Sequence, residues 1–268
     1  MPRWPKISVV VPSYNQAEFL GQTLDSIVAQ NYPQLELIVM DGGSTDASTE
    51  VIRRFERHIA YWVSERDGGQ TDAIGHGFAR STGAVQCWLN SDDLFAPGAL
   101  AHVAGFFARF PAAEAVFGDM IWIDRSGNRL RVQREMPFNR FVWTYTYNYI
   151  PQPSMFWRRE LYERAGGLDA SYELAMDTDL WARFSQIARI HHTRRVLSKA
   201  RFYPEQKTQS ATLHARQAER DRALADLRRD QTQRSVRAKS AVAGAVRVVW
   251  RAATGCYTLD YRPGLRSD

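Results

Sequence analysis

One pattern narrows the possible folds more than any other: an alternation repeated four times within the first 110 residues. Each unit is a short apolar run, a polar loop and a helical stretch. The first is Ile7-Ser8-Val9-Val10-Val11, closed by Pro12, then the loop Ser13-Tyr14-Asn15-Gln16. A helix follows over about 18–30, with Phe19, Leu20, Leu24, Ile27 and Val28 on one face. The second runs from Leu35 to Met40, through Asp41-Gly42-Gly43-Ser44-Thr45-Asp46, into a helix ending at His58. The third is a strand from Ala60 to Val63, a loop carrying Arg66, Asp67, Gly68 and Gly69, and a helix from Thr71 to Arg80. The fourth is Val85 to Leu89, the loop Asn90-Ser91-Asp92-Asp93, and a helix that Pro97 opens and Phe110 ends. Continuous β-branched runs suit strands buried on both faces, so the order implies an α/β fold: a mostly parallel sheet with helices on both sides.

Ligands of such sheets gather beyond the carboxyl ends of the strands. All four polar loops fall there, a convergence that solvation alone explains poorly. Asp92 and Asp93 are the sharpest pair. Adjacent carboxylates repel, so one pKa rises unless a cation sits beside them. A hard ion, Mg²⁺ or Mn²⁺, resolves the repulsion, and its natural second partner is a phosphate. The plain alternative is a solvated turn. In the second loop, Gly42 and Gly43 allow close approach of backbone amides, the following helix start favours phosphate, and Asp41 can accept from a base or a ribose. A helix-capping loop built on Thr45 or Asp46 is the alternative there. The Gly-x-Gly-x-x-Gly dinucleotide fingerprint is absent.

Past Phe110 the period changes. Short strands are expected over 115–117, 121–123 and 130–132, the last two joined by a turn at Ser126-Gly127-Asn128. Phe141, Trp143, Tyr145, Tyr147 and Tyr149 read as core, with an aromatic wall for a sugar as the alternative. A helix over 175–187 opens on Asp177-Thr178-Asp179. Two residues apart, the two carboxylates point to different faces. One can face a cleft as a base while the other pairs with Arg183; in the alternative, both only complement the helix dipole. Lys207 sits in a polar loop that reads as a phosphate contact or as a linker.

The net charge of +6 is uneven. From Arg201 onward there are 14 Lys and Arg against 7 Asp and Glu, leaving 21 against 22 before it. The basic end points to an anionic surface, while acids interleaved from Glu219 to Asp230 argue against nucleic acid. Leu213 to Asp230 reads as a solvated, charged helix. Ala241 to Thr254 is apolar, with Arg247 and Arg251 four apart; it suits a membrane surface, or docking on the protein's own body or a second copy. Cys87 and Cys256 lie far apart and no disulfide is expected. With no apolar leader and no run of about 18 apolar residues, the expectation is a cytoplasmic protein, peripheral on the inner face of the plasma membrane.

From Lys6 to Ser210 the chain resembles the family 2 glycosyltransferases, which share the GT-A fold. The resemblance rests on Ser8-Val9-Val10-Val11-Pro12-Ser13-Tyr14-Asn15, Val39-Met40-Asp41-Gly42-Gly43-Ser44-Thr45-Asp46, Asn90-Ser91-Asp92-Asp93, Gly166-Gly167-Leu168-Asp169 and Asp177-Thr178-Asp179-Leu180-Trp181. It implies a nucleotide-diphosphate sugar, usually UDP-linked, bound by Pro12, Tyr14, Asn15, Asp41, Gly43, Ser44, Asp67 and Asp92. It implies Mg²⁺ or Mn²⁺ on Asp92 and Asp93, Lys207 on phosphate, and a glycan or lipid-linked acceptor near Gln152 and Trp181. Asp177 takes the place of the base, and the reaction inverts the anomeric carbon. Residues 1–110 form the donor half, 111–212 the acceptor half of the same domain, and 213–268 a basic helical tail for membrane or homo-oligomer contact. Asn90, Met176, Gly75 and Tyr203 depart from the common pattern. Met176 removes one of the usual carboxylates, which keeps a non-catalytic sugar-nucleotide-binding scaffold as the second reading. A nucleotidyltransferase is disfavoured, because Pro12-Ser13-Tyr14-Asn15 carries no Arg or Lys.

Overall fold

The computed structural model describes residues 4–206 and 212–256. The four expected units form as β1 (Ile7–Ser13), α1 (Ala17–Val28), β2 (Leu35–Asp41), α2 (Ser48–Arg54), β3 (Tyr61–Ser64), α3 (Gln70–Arg80) and β4 (Val85–Trp88). A two-residue strand β5 (Leu94–Phe95) precedes α4 (Ala99–Arg109). The second half comprises β6 (Ala115–Ile123), β7 (Arg129–Gln133), α5 (Arg140–Tyr145), β8 (Met155–Arg158), α6 (Arg159–Arg164), α7 (Met176–Ile187) and β9 (Ile190–Arg201). Then come α8 (Leu213–Ala223) and α9 (Gln233–Ala253).

The sheet order is β3-β2-β1-β4-β8-β6-β9-β5, with β7 added on β6. Strands β1 to β4 pair in parallel, as their continuous apolar runs require. β8 enters antiparallel between β4 and β6, and β9 returns parallel to β6. Ile7, Val9, Val10, Val11, Val85 and Cys87 are fully buried. Each such side chain contributes about 1.5–3 kcal/mol of burial free energy. Glu36 is buried among them. Burial pushes its carboxyl up, but hydrogen bonds from Lys6, Ser8 and Thr82 outweigh this and hold it at about 2, tying β1 and β2 to the turn before β4.

Three boundaries differ from the sequence reading. Pro12 does not end β1; it pairs in register with Met40. Val10 O accepts from Leu89 N, so Val10 and Pro12 face the same neighbour, and β4 has already ended where the missing N–H of Pro12 falls. The helix after Pro97 starts two residues later, at Ala99, with Gly98 left-handed at φ +74° as its cap. The strands expected over 115–117 and 121–123 are one strand, β6, because Gly118 and Asp119 pass through the sheet in a register shift against β9.

The largest difference concerns the chain after residue 212. α8 is not merely a solvated helix. α7 begins without a side-chain cap from its N-cap residue, Ala175, and the backbone leading into it is held from α8. The Glu219 carboxylate accepts from Leu174 N at 2.8 Å, Ala175 N at 2.9 Å and Glu173 N at 3.1 Å. α9 lies against α5, and Leu224 and Ala243 are fully buried. Arg247 and Arg251 turn inward toward Glu135, at 3.4 and 3.7 Å, so they do not form the outward basic face expected of a membrane helix. α9 instead turns Val242, Val246, Val248 and Val249 to solvent. Among the described residues no helix is long and apolar enough to cross a membrane.

Candidate active site

Beyond the carboxyl ends of β1, β2 and β4 the chain encloses a cleft of about 1240 Å³. Its walls include Pro12, Tyr14, Gly43 and Asp67 from the first loops, Asp92 and Asp93 from the fourth, Gln152 from the segment before β8, and Asp177 from α7. Residues nearly 170 positions apart thus share one space, and the sheet order brings them there: β8 lies next to β4.

The first two loops lock onto each other. Asn15 N donates to Ser44 Oγ at 2.8 Å, and Thr45 N donates back to Asn15 Oδ1 at 2.8 Å. Asp41, 1 % exposed, accepts from Ser44 N at 2.9 Å, Ser44 Oγ at 2.5 Å and Ser64 Oγ at 2.6 Å. Asn15, Asp41 and Ser44 therefore shape the wall from behind. A ligand base would use the lone pairs of Asp41 that remain. Gly43 sits at φ +79°, and a Cβ there would meet Arg66 N at 3.1 Å, which is why the loop needs glycine. Asp67 Oδ1 accepts from Gly69 N at 2.8 Å.

Asp92 and Asp93 have different surroundings. Asp93 is 5 % exposed; its Oδ1 accepts from Arg201 N at 3.0 Å and its Oδ2 from Asn90 Nδ2 at 3.4 Å. Burial first, then the neighbouring Asp92 charge, push its carboxyl well above the usual range, which is the repulsion expected of adjacent carboxylates. Asp92 is the more open of the two. Its Oδ2 accepts from Tyr203 OH at 3.0 Å and Gln206 Nε2 at 3.2 Å. Asn90 bridges outward, accepting from Gln70 Nε2 at 2.9 Å and donating to Gln152 Oε1 at 3.3 Å. Gln152 in turn donates to Trp88 O at 2.9 Å, so its amide is held at both ends.

Arg201 binds this corner together. Its guanidinium is 1 % exposed over the Phe19 ring and donates to Asp92 O at 3.0 Å, Asp124 O at 3.1 Å, Arg125 O at 2.6 Å and Gln22 Oε1 at 3.0 Å. The donor set suits a divalent cation. Mg²⁺ is usually held by one or two carboxylates, with phosphates and water completing the shell. Asp92 offers such a carboxylate at the cleft edge, with Asp93 beside it. No cluster of three or more His, Cys, Asp or Glu ligands occurs among the described residues.

Asp177, also in the lining of the cleft, lies in the first turn of α7. Its Oδ1 accepts from Thr178 N at 2.7 Å and its Oδ2 from Asn148 Nδ2 at 2.8 Å, leaving lone pairs for a ligand. Burial raises its pKa; the Arg216 charge and the Thr178 amide oppose the rise. Asp179 faces away, 8 % exposed and paired with Arg183. The two carboxylates divide as their spacing allows, one to the cleft and one to an arginine. Trp181 is not in the lining of the cleft: it is fully buried, stacked at 5.7 Å on Trp88, because its position on α7 faces the core. Lys207 lies outside the described residues.

Sequence reading missed Asn148, Arg201, Arg216 and Glu219. Asn148 had one signal, a lone amide inside an aromatic run. The other three had none, because their roles depend on elements distant along the chain.

A family model described as Glycosyl transferase family 2 matches residues 8–165. The chain belongs to that family. A Rickettsia felis protein named an uncharacterized glycosyltransferase is 26% identical over 219 residues, covering 78% of this chain and 36% of that protein. The chain thus spans about a third of that relative's length. Among solved structures, Staphylococcus aureus TarS 1–349 in complex with UDP-GlcNAc is similar at a TM-score of 0.67 and 18% identity, over 96% of this chain and 76% of that one. The mannosyltransferase PcManGT from Pyrobaculum calidifontis, in complex with GDP-Man and Mn²⁺, is similar at 0.64 and 22%, over 95% and 76%. These likenesses show the fold, the GT-A arrangement expected from the sequence.

Proposed function

We propose that the protein transfers a sugar from a nucleotide-diphosphate donor, UDP-linked, to a hydroxyl of a glycan or lipid-linked glycan, with inversion. The observation that carries this reading is the presence of Asp92 and Asp177 in the lining of one cleft, in a chain of this family. The donor lies along Pro12, Tyr14, Gly43 and Asp67, with Asp41, Asn15 and Ser44 holding that wall. Asp177 accepts the proton of the acceptor hydroxyl. The hydroxyl oxygen then bonds to the anomeric carbon from the face opposite the leaving group. The carbon–oxygen bond to the diphosphate breaks, and its electron pair leaves with the nucleotide. Asp92, with Asp93 beside it, would hold Mg²⁺ or Mn²⁺, which would supply neutralising charge for the diphosphate. Tyr203 and Gln206 orient Asp92 through its Oδ2, a support that commonly tunes metal affinity tenfold or more.

The test is nucleoside diphosphate release with Mn²⁺ or Mg²⁺ and a panel of UDP- and GDP-sugars. Release with at least one UDP-sugar is expected; binding without release from any donor would favour the scaffold reading. Tyr203→Phe is expected to raise the metal concentration for half-maximal rate by about tenfold. An unchanged metal requirement would remove Tyr203 from that role.

The outward valines of α9 support contact with an anionic membrane, because Arg234 and Arg237 are exposed earlier on the same helix. Val246→Asp with Val249→Asp is expected to abolish cosedimentation with vesicles containing phosphatidylglycerol. A shift from dimer to monomer in light scattering, with sedimentation unchanged, would assign the face to a second copy instead.

A further inference from the structure

The end of the cleft bounded by β6, β7 and α9 has no role in the reaction above. Trp122, Arg131, Gln133, Glu135, Tyr147 and Arg251 line it. Its polar groups form one connected set. Trp122 Nε1 donates to Gln133 Oε1 at 2.7 Å, and Gln133 Nε2 donates to Glu135 Oε1 at 3.0 Å. Glu135 then meets Arg247 and Arg251 from α9. The Arg247 guanidinium lies 4.2 Å from the centre of the Tyr147 ring, and the next residue, Asn148, holds Asp177. This end is therefore continuous with the proposed base.

Holding α9 in place accounts for Arg247 but not for Arg131. Arg131 stands on the outer strand β7, exposed, with its guanidinium 5.4 Å from the centre of the Trp122 ring. Among the described residues no carboxylate comes within ion-pair distance of it. Partial burial and the Arg251 charge both lower its pKa while Glu135 opposes them, so Arg131 adds its charge beside a second guanidinium on the same wall. In a half-enclosed cleft such charge is weakly screened and draws anions. Guanidinium groups match phosphate with paired donors. The donor diphosphate is not the obvious guest. β7 lies two strand spacings, roughly 10 Å, from the β9 end that contacts Asp93.

We propose that this end of the cleft is an acceptor subsite for a phosphate group, with Arg131 and Arg251 as its ligands and Trp122 and Tyr147 as flanking rings. The proposal rests on reading the cleft as a glycosyl-transfer site. It makes the acceptor a phosphorylated one. The phosphate can sit on a glycan or on a lipid headgroup, which present the same chemistry.

The experiment is a binding titration that needs no turnover, so it stays readable even if no donor is ever cleaved. With the donor half saturated by UDP, the full chain is titrated with glucose 1-phosphate, with methyl glucoside and with a water-soluble short-chain prenyl phosphate. Glucose 1-phosphate is expected to bind on the order of tenfold or more tighter than methyl glucoside. Arg131→Glu should remove that difference, and Arg131→Lys should keep part of it. Arg131 is exposed, so these variants should fold, as UDP binding and melting temperature will report. Binding of glucose 1-phosphate alone assigns a phosphorylated glycan, and binding of prenyl phosphate assigns a lipid headgroup. The proposal is overturned by any of three results: no phosphate preference in the wild-type chain, a preference that survives Arg131→Glu, or an equal loss of UDP affinity in that variant.

Discussion

Asp177→Asn is expected to lower kcat for sugar transfer by about 10²–10⁴-fold while UDP affinity stays within about twofold of wild type. The amide keeps the shape that Thr178 N and Asn148 address but cannot take a proton. The pH profile gives a second reading of the same group. A base must be ionised, so the rate falls as pH drops through its pKa. Burial raises that pKa, so the acid limb should lie above the range of an ordinary aspartate. Arg216 opposes the rise, and Arg216→Ala should move the limb to still higher pH. A rate that survives Asp177→Asn, or a limb that Arg216→Ala leaves in place, would move the base elsewhere in the cleft.

Arg201→Met should be the most destabilising single change near the site, costing on the order of 3–5 kcal/mol. It removes the donors to three backbone carbonyls and one side-chain amide oxygen at a position 1 % exposed. Asp124 O keeps Gly127 N as a donor, while an acceptor left without a donor in a buried corner carries its full desolvation cost. For a chain of this size the melting temperature should fall by roughly 10 °C. One of the carbonyls belongs to Asp92, so the surviving folded fraction should also need more metal for activity. A melting temperature within about 2 °C of wild type would show that water replaces the guanidinium at little cost.

The first half of the chain was readable because its information is local. Apolar runs such as Ile7 to Val11 are followed at once by the loops they deliver, so strand, loop and rim come from one short stretch. The Asp177–Asp179 spacing likewise restricted the pair to different faces of α7. Trp181, placed near the acceptor only by the resemblance, is inside because α7 packs that face against Trp88, which no local pattern specifies.

The basic end of the chain shows where local pattern runs out. α8 reads as solvated and α9 as a membrane face until Glu219 is seen on the amides just before α7 and Arg247 on Glu135. A carboxylate or guanidinium looks the same in sequence whether water or a distant helix end satisfies it. Composition and periodicity were sufficient for the α/β class and the rim of polar loops, since those follow from neighbours along the chain, while the roles of Asp92 and Asp177 came from the family resemblance. The depth of Asp93 and Arg201, the hold of Glu219 on the backbone before α7 and the arginines at the far end of the cleft depend on strand order and helix docking. Those follow from contacts between residues far apart along the chain, which no local window of sequence contains.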